Sequence, residues 1–323
     1  MVTNDKTPDL LVVGGGPAGL AAAIVARRLG LGVTVIDKRQ PPIDKACGEG
    51  IMPDGVETLA RLGVILPRDR VAAFGGIRYI EGGIMTTARF RAGSGLGVRR
   101  TVLHEALIGR ARSLGVHLDW GRAVRRLSPD GVEADGSPVR GRWIVCADGH
   151  DSLCRRALGL DVSPIHERFG IRRHFRVRPW ADLVEVHWSD SCEIYVTPVA
   201  PDQVCVATLT RDTGLRLDEA LRRFPALEKR LRHAAIISDD QGASTVFRRL
   251  PRVVSGRYAL IGDASGSVDA LTGEGVSLAL RQALALGAAL REGDLRAYGA
   301  AHARLMRLPA AMSRGMLAIS GKG

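Results

Sequence analysis

Asp9-Leu10-Leu11-Val12-Val13-Gly14-Gly15-Gly16-Pro17-Ala18-Gly19-Leu20 decides the fold. An apolar run of strand length ends in three glycines, and an alanine-rich helical pattern follows. Gly14, Gly16 and Gly19 stand at GxGxxG spacing. In that pattern the first glycine makes a tight turn, the second admits a pyrophosphate to the backbone, and the third lets helix pack on strand. Pro17 and Ala18 open the helix, whose free N–H groups and positive dipole end face the phosphates. A second strand, Val33-Thr34-Val35-Ile36, ends at Asp37, 18 residues after Gly19 and just before Lys38 and Arg39. An acid belongs there to bind a ribose. A glycine spacing alone is weak, but strand, turn, helix, strand and acid in order specify a dinucleotide site.

Outward from this stretch, 323 residues give room for about two domains. No apolar run reaches the roughly 18 residues of a membrane span. Met1 to Thr7 is polar and holds no signal segment, so a cytoplasmic location is expected. Cys47, Cys146, Cys154, Cys192 and Cys205 are scattered and odd in number, which fits free thiols. The net charge is +12, yet only five of the 46 basic residues are lysine, and the arginines are spread along the chain. With no basic stripe interleaved with aromatics, nucleic acid is not an expected partner. The eight histidines show no HxH or HExxH spacing, so no metal site is expected. A GxSxG elbow and a Walker A loop are both absent from the sequence.

Further along, Asp54 precedes an apolar pattern stopped by Gly63, predicting a short helix with an acidic cap. Gly76–Ile80 and Ile84–Phe90 read as a hairpin, and Val102 to Ala111 as a helix closed by Gly115. Residues 122–140 read as a β-meander, and Trp143 to Ala147 as a buried parallel strand. Segments between 168 and 210 are strand-like, and Val184, Val186 and Trp188 share a face, which predicts an antiparallel sheet with one covered face. A helix is expected around Leu217–Leu231, a buried strand at Tyr258–Ile261 and a long helix from Glu274 to Leu290. The fold expected is α/β: a Rossmann-like nucleotide domain with an inserted antiparallel β-sheet. The boundaries drawn are 1–75, 98–160 and 245–300 for the first, 76–97 and 161–244 for the insert, and a short helical tail over 301–323.

Asp148-Gly149 follows the strand at 143–147, and Gly262-Asp263 follows the strand at 258–261. Both put an acid at the ligand-binding edge of a doubly wound sheet. Gly273-Glu274-Gly275 then opens the last helix. With these motifs in this order, the sequence resembles FAD-dependent oxidoreductases of the p-hydroxybenzoate hydroxylase and geranylgeranyl reductase type, from about Asp9 to Leu290. The resemblance implies that the first motif and Asp37 hold the ADP part of FAD. It implies that Arg100 lies near the cofactor, that Asp148-Gly149 serves FAD and a reduced nicotinamide, and that Asp263 contacts the ribityl chain. Gly273 and Gly275 would approach the flavin ring, with Cys47 and Gly48 close by.

Two details resemble the reductase branch: Lys45-x-Cys47-Gly48-x-Gly50 matches KxCGxG, and Thr272-Gly273-Glu274-Gly275 matches TGEG. Ala270 stands where the family usually has proline, and Tyr195 to Pro198 matches the family's YxWxFP only without its tryptophan. The halogenase WxWxIP stretch is absent from the sequence. Relatives often continue with helices that close the pocket, whereas Arg291 to Gly323 is all that follows here, so either the pocket is more open or the chain is shortened. Cys47, between a lysine and two glycines, is the candidate reactive residue, with a lowered thiol pKa expected. Tyr195 and Pro198 are candidate substrate contacts. The leading expectation is an FAD monooxygenase that takes electrons from NAD(P)H and hydroxylates a small organic, phenolic or polyketide-like substrate. The alternatives are a reductase of carbon–carbon double bonds and a non-catalytic redox-responsive flavoprotein. The sequence does not set the oligomeric state.

Overall fold

The apolar runs His117–Trp120, Val33–Asp37, Leu10–Val13, Trp143–Cys146 and Tyr258–Leu260 lie side by side as a parallel sheet, with Val254–Ser255 antiparallel at one edge. The computed structural model describes residues 7–270 and 273–320, so Met1–Lys6 and Thr272 of the TGEG match lie outside the described residues. All four residues of Leu10–Val13 are buried. Helices account for this. Pro17–Arg28 packs between Arg100–Ser113 and Gly275–Glu292, and the side chain of Val25 fills the space beside Gly287. Strands covered on both faces become continuous apolar runs.

A second, mixed sheet of nine strands among the described residues is built on His166–Arg176, Gln203–Thr210, Cys192–Ala200 and Val184–Trp188. Gln241–Arg249 extends it at one side, and the hairpin Gly76–Glu81 with Ile84–Arg89 at the other. Ile194, Val196, Val204, Val206 and Phe175 turn toward the helices Leu217–Arg222 and Pro225–Leu231. The opposite face carries Arg168, Arg172 and His174, then Tyr195 and Cys205, by strand alternation. A small sheet of Gly50–Ile51, Gly95–Val98 and Val71–Phe74 joins the two larger ones. A Cβ on Gly97 would stand 1.7 Å from the carbonyl oxygen of Pro198, so only glycine fits there.

Several expectations change. The helix around 217–231 is two helices, because Pro225 cannot continue the first and starts the second. Val184–Trp188 is covered on both faces: Glu185 and His187 are buried beside Trp180 and the short helices. Asp54 is not the cap of Pro53–Leu62; Met52 holds that place, and Asp54 lies inside the first turn. Gly95–Val98 joins the small sheet rather than the inserted one, and Gln241–Arg249 crosses the boundary drawn at 245. The final helix spans Leu295–Ser320, and its Leu295 and Tyr298 belong to the main core, so it starts before the tail drawn from 301.

Candidate active site

Three of the five parallel strands release loops that carry the predicted motifs at their carboxyl ends, beginning at Gly14, Ala147 and Ile261. Gly14 has φ +107°, and a Cβ on it would lie 2.3 Å from the Ala147 oxygen. On Gly19, a Cβ would lie 1.9 Å from the Gly14 oxygen, so helix and strand touch only through glycine. The Gly15 N–H donates to Asp37 Oδ2 (2.7 Å) and the Arg39 N–H to Asp37 Oδ1 (2.8 Å). The acid foreseen as a ribose ligand thus also ties the glycine loop to its own strand.

Asp148 accepts from Ser152 Oγ (2.5 Å) and the Cys154 N–H (3.0 Å), and Ser152 in turn caps the helix Leu153–Ala157 by accepting from the Arg155 N–H (2.9 Å). Both oxygens are engaged within its own loop, and the next residue, Gly149, has φ +82° and open space where a Cβ would stand. Arg155 joins this loop to the third. Its buried guanidinium donates to the carbonyls of His150 (2.7 Å), Asp263 (3.4 Å) and Ala264 (3.3 Å) and pairs with Asp161 (2.6 Å). Gly262 donates its N–H to Gln282 of the long helix (2.8 Å). The Asp263 carboxylate reaches Lys45 Nζ at 3.3 Å, and that charge holds its pKa below the usual carboxylate range.

An FAD fits these residues. The Gly14–Gly19 turn offers a pyrophosphate the start of a helix, and Arg100 lies beside it, with its guanidinium 3.9 Å from where a Gly16 Cβ would stand. Buried Nε atoms of Arg99 and Arg100 have no hydrogen-bond partner, as donors awaiting an anion would. Gly48 and Gly275 have open space at their absent Cβ atoms, the backbone surface a flat ring needs. Glu274, between Gly273 and Gly275, has a buried oxygen without a partner, and desolvation raises its pKa.

Lys45 to Gly50 closes this space. Cys47 is half-buried, and the Glu49 N–H donates to its Sγ (3.3 Å). The lowered thiol pKa expected from the loop is corrected: burial pushes Cys47 up, outweighing the nearby charges of Arg100 and Lys45. Glu49 itself is buried. Its Oε1 accepts from the Arg100 N–H (2.9 Å), and its Oε2 meets His174 Nε2 (2.7 Å). Glu49, His174 and Cys205 bring their ligand atoms within 4.8 Å of one another. Two ligands about 2.1 Å from one tetrahedral ion would stand roughly 3.4 Å apart. The 2.7 Å contact is instead a hydrogen bond, and the Arg172 guanidinium, 3.7 Å from Glu49, already supplies a cation.

Across the sheet, Tyr195 is half-buried in register with Ala207, itself opposite Arg172. Tyr195 Oη and Trp188 Nε1 are buried without partners. Tyr79 meets Trp188 edge-on at 5.7 Å, and the Arg168–Glu193 ion pair (2.6 Å) lies alongside. Pro198 is not with them. Three residues from Tyr195 on one strand, it faces the other way and packs near Trp180, Val196 and Val204. Sequence reasoning missed Glu49, His104, Arg155, His174 and Gln282 as site residues. The signal available for His104 was a polar residue on the apolar stripe of its helix, shared with Leu107, Ile108 and Ala111.

Residues 7–298 match the family described as FAD binding domain. A menaquinone reductase of Mycolicibacterium smegmatis is 28% identical, covering 93% of this chain and 80% of its own. A digeranylgeranylglycerophospholipid reductase of Methanopyrus kandleri is 26% identical, covering 84% of this chain and 74% of its own. Among solved structures, a p-nitrophenol 4-monooxygenase of Pseudomonas putida superposes with TM-score 0.81 at 19% identity, over 96% of this chain and 88% of that one. The flavin-dependent brominase Bmp2 superposes equally well, with TM-score 0.81 at 20% identity, over 96% of this chain and 90% of that one. At such identities these last two establish the fold. Among the described residues no helix is long and apolar enough to cross a membrane.

Proposed function

The chain belongs to the FAD-binding-domain family, as an FAD-dependent oxidoreductase of its monooxygenase and reductase branches, and from that premise we propose that it reduces a carbon–carbon double bond of an apolar, unsaturated substrate. The observation that carries this reading is Cys47. Its thiol keeps its proton because burial raises its pKa, while Arg100 and Lys45 act on it in the opposite sense. Such a group suits proton donation better than nucleophilic attack. Reduced FAD, held by these loops, would supply the hydride that such a reduction needs. The role of Cys47 is to hold a proton on Sγ for the substrate carbon, with Arg100 and Lys45 placed to stabilise the thiolate left behind. The half-buried face around Ala207 and Tyr195 receives the substrate beside this loop. The reductase names of the relatives that align along most of the chain support the same reading.

The test is a single turnover. The FAD-loaded protein is reduced anaerobically with dithionite, freed of excess reductant and mixed with menaquinone or a geranylgeranyl lipid; the products are then reoxidised in air, so that any quinol returns to quinone and only hydrogens added to carbon–carbon bonds are read by mass. A gain of two hydrogens is expected, slowed roughly 100-fold or more in Cys47→Ala with the flavin spectrum intact. No hydrogenated product from either substrate would sink the proposal.

Hydroxylation is the second reading, favoured by Tyr195 Oη and Trp188 Nε1. These are two buried donors without acceptors in an aromatic cluster. They suit an oxygen on an aromatic ring. Oxygen uptake coupled to an oxygenated product would select this reading over reduction.

A further inference from the structure

Glu49 is one of two non-glycine residues among those described with a left-handed backbone, at φ +59°. That conformation is costly for a residue with a Cβ and persists only where its surroundings hold it. Gly48 and Gly50 on either side would otherwise let the loop relax. What holds it is the side chain, which is 0% exposed. Its carboxylate is gripped from two separate parts of the molecule. From the nucleotide-binding part comes the Arg100 N–H, the first of the helix Arg100–Ser113. From the nine-stranded sheet come His174 Nε2 and, at 3.7 Å, Arg172 Nε.

The direction of these bonds is fixed. Arg172 donates to His174 Nδ1 (3.4 Å), so Nδ1 is an acceptor and Nε2 carries the hydrogen given to Glu49 Oε2. Ser238 Oγ accepts from the His174 backbone N–H (3.0 Å), which leaves its hydroxyl hydrogen for Nδ1 as well (2.9 Å). Asp44 pairs with Arg172 and holds the guanidinium in place. His174 and Arg172 are themselves buried, at 0% and 1% exposure. The imidazole and guanidinium therefore have one arrangement, and Glu49 is the group they arrange.

The consequence reaches the thiol through the main chain. With Glu49 in its left-handed conformation, its N–H points back at Cys47 Sγ, 3.3 Å away. We propose that Glu49 and His174 are positioning residues for Cys47: the sheet holds the carboxylate, the carboxylate holds the backbone turn, and the turn aims the thiol. The proposal deepens the reading of Cys47 as a proton donor. The placement of the thiol can nevertheless be measured without any turnover.

The measurement is alkylation of Cys47 by iodoacetamide in the FAD-loaded protein, read by peptide mass; Cys146, Cys154 and Cys192 are buried away from the Glu49–His174 pair and serve as internal controls. Labelling of the parent protein is expected to be slow, because the thiol keeps its proton. His174→Ala and Glu49→Ala should accelerate labelling at Cys47 at least tenfold with Cys146, Cys154 and Cys192 unchanged. His174→Gln, whose amide can still donate to Glu49, should restore the parent rate. Glu49→Gly, which tolerates positive φ without the grip, should fall between Glu49→Ala and the parent. Thermal melting identifies any variant that has merely unfolded, because labelling then rises at all five positions. If His174→Ala melts as a folded protein and labels within twofold of the parent, the positioning role is wrong. A positive labelling result with no double-bond reduction would keep the positioning role and discard the reductase reading.

Discussion

His104 holds the glycine loop by two hydrogen bonds whose directions set its tautomer. Nδ1 accepts from the Ile43 N–H (3.0 Å), so the hydrogen sits on Nε2 and is donated to the Gly15 carbonyl (2.8 Å). The ring is fully buried and meets Trp120 edge-on. Burial lowers its pKa, keeping the neutral form that both bonds need. His104→Leu fills similar space and leaves an amide and a carbonyl unpaired. Each unpaired group costs about 1–3 kcal/mol. FAD binding, followed by quenching of flavin fluorescence, should weaken roughly tenfold or more, since about 1.4 kcal/mol is a factor of ten. An unchanged dissociation constant would show that the loop keeps its shape without His104. The same scale explains the error at Cys47. Neighbouring charges can be read along the chain, but burial comes from strands remote in sequence, and here burial prevails.

At the scale of elements, the strand–turn–helix unit was legible because its requirements are local. A helix whose backbone touches a strand demands glycine at the contact. Gly19→Ala puts a methyl group 1.9 Å from the Gly14 oxygen, a distance that no side-chain movement relieves. The variant should purify without yellow colour, and added FAD should not restore it. A holoprotein with the parent absorbance would overturn the close-contact account. The strands of the inserted sheet were legible as apolar segments, but their covering was not. Glu185 looks like a surface position, yet it is buried because Trp180 Nε1 (2.8 Å) and Arg78 Nη1 (3.1 Å) both reach it. Likewise, Pro225 divides one helical pattern into two helices that still pack on one face of the sheet.

Across the whole molecule, the last helix closes back on the first sheet. Tyr298 Oη donates to the Leu260 carbonyl (2.8 Å) and His302 Nε2 meets Ser265 Oγ (2.9 Å), so this helix holds the Gly262-Asp263 loop from behind. Burial lowers the pKa of His302 to about 4, and those of His104 and His150 move in the same direction. In the unfolded chain a histidine takes up its proton near pH 6.5, before the folded protein does. Stability from this source is therefore complete above about pH 6.5 and is lost as the pH falls toward 4, by roughly 3 kcal/mol for His302 alone. Urea unfolding at pH 7 and pH 4.5 should show this loss, and His302→Gln should flatten the slope. An equal slope in the variant would assign the acid sensitivity to other groups.

What the sequence determined by itself was the dinucleotide turn, the parallel core and the resemblance to flavin oxidoreductases. Each rests on short-range rules: glycine where backbones touch, continuous apolar runs where both strand faces are covered, and acids at the ends of strands. Only the tertiary structure decided that Glu49 is the buried centre of the Cys47 loop, and that Tyr195 and Pro198 face opposite ways. The same holds for Arg155, which joins two loops more than 100 residues apart. The physical reason is that desolvation and hydrogen-bond pairing belong to groups that meet in space. A sequence separation of 125 between Glu49 and His174 gives no local sign that the two share a hydrogen bond.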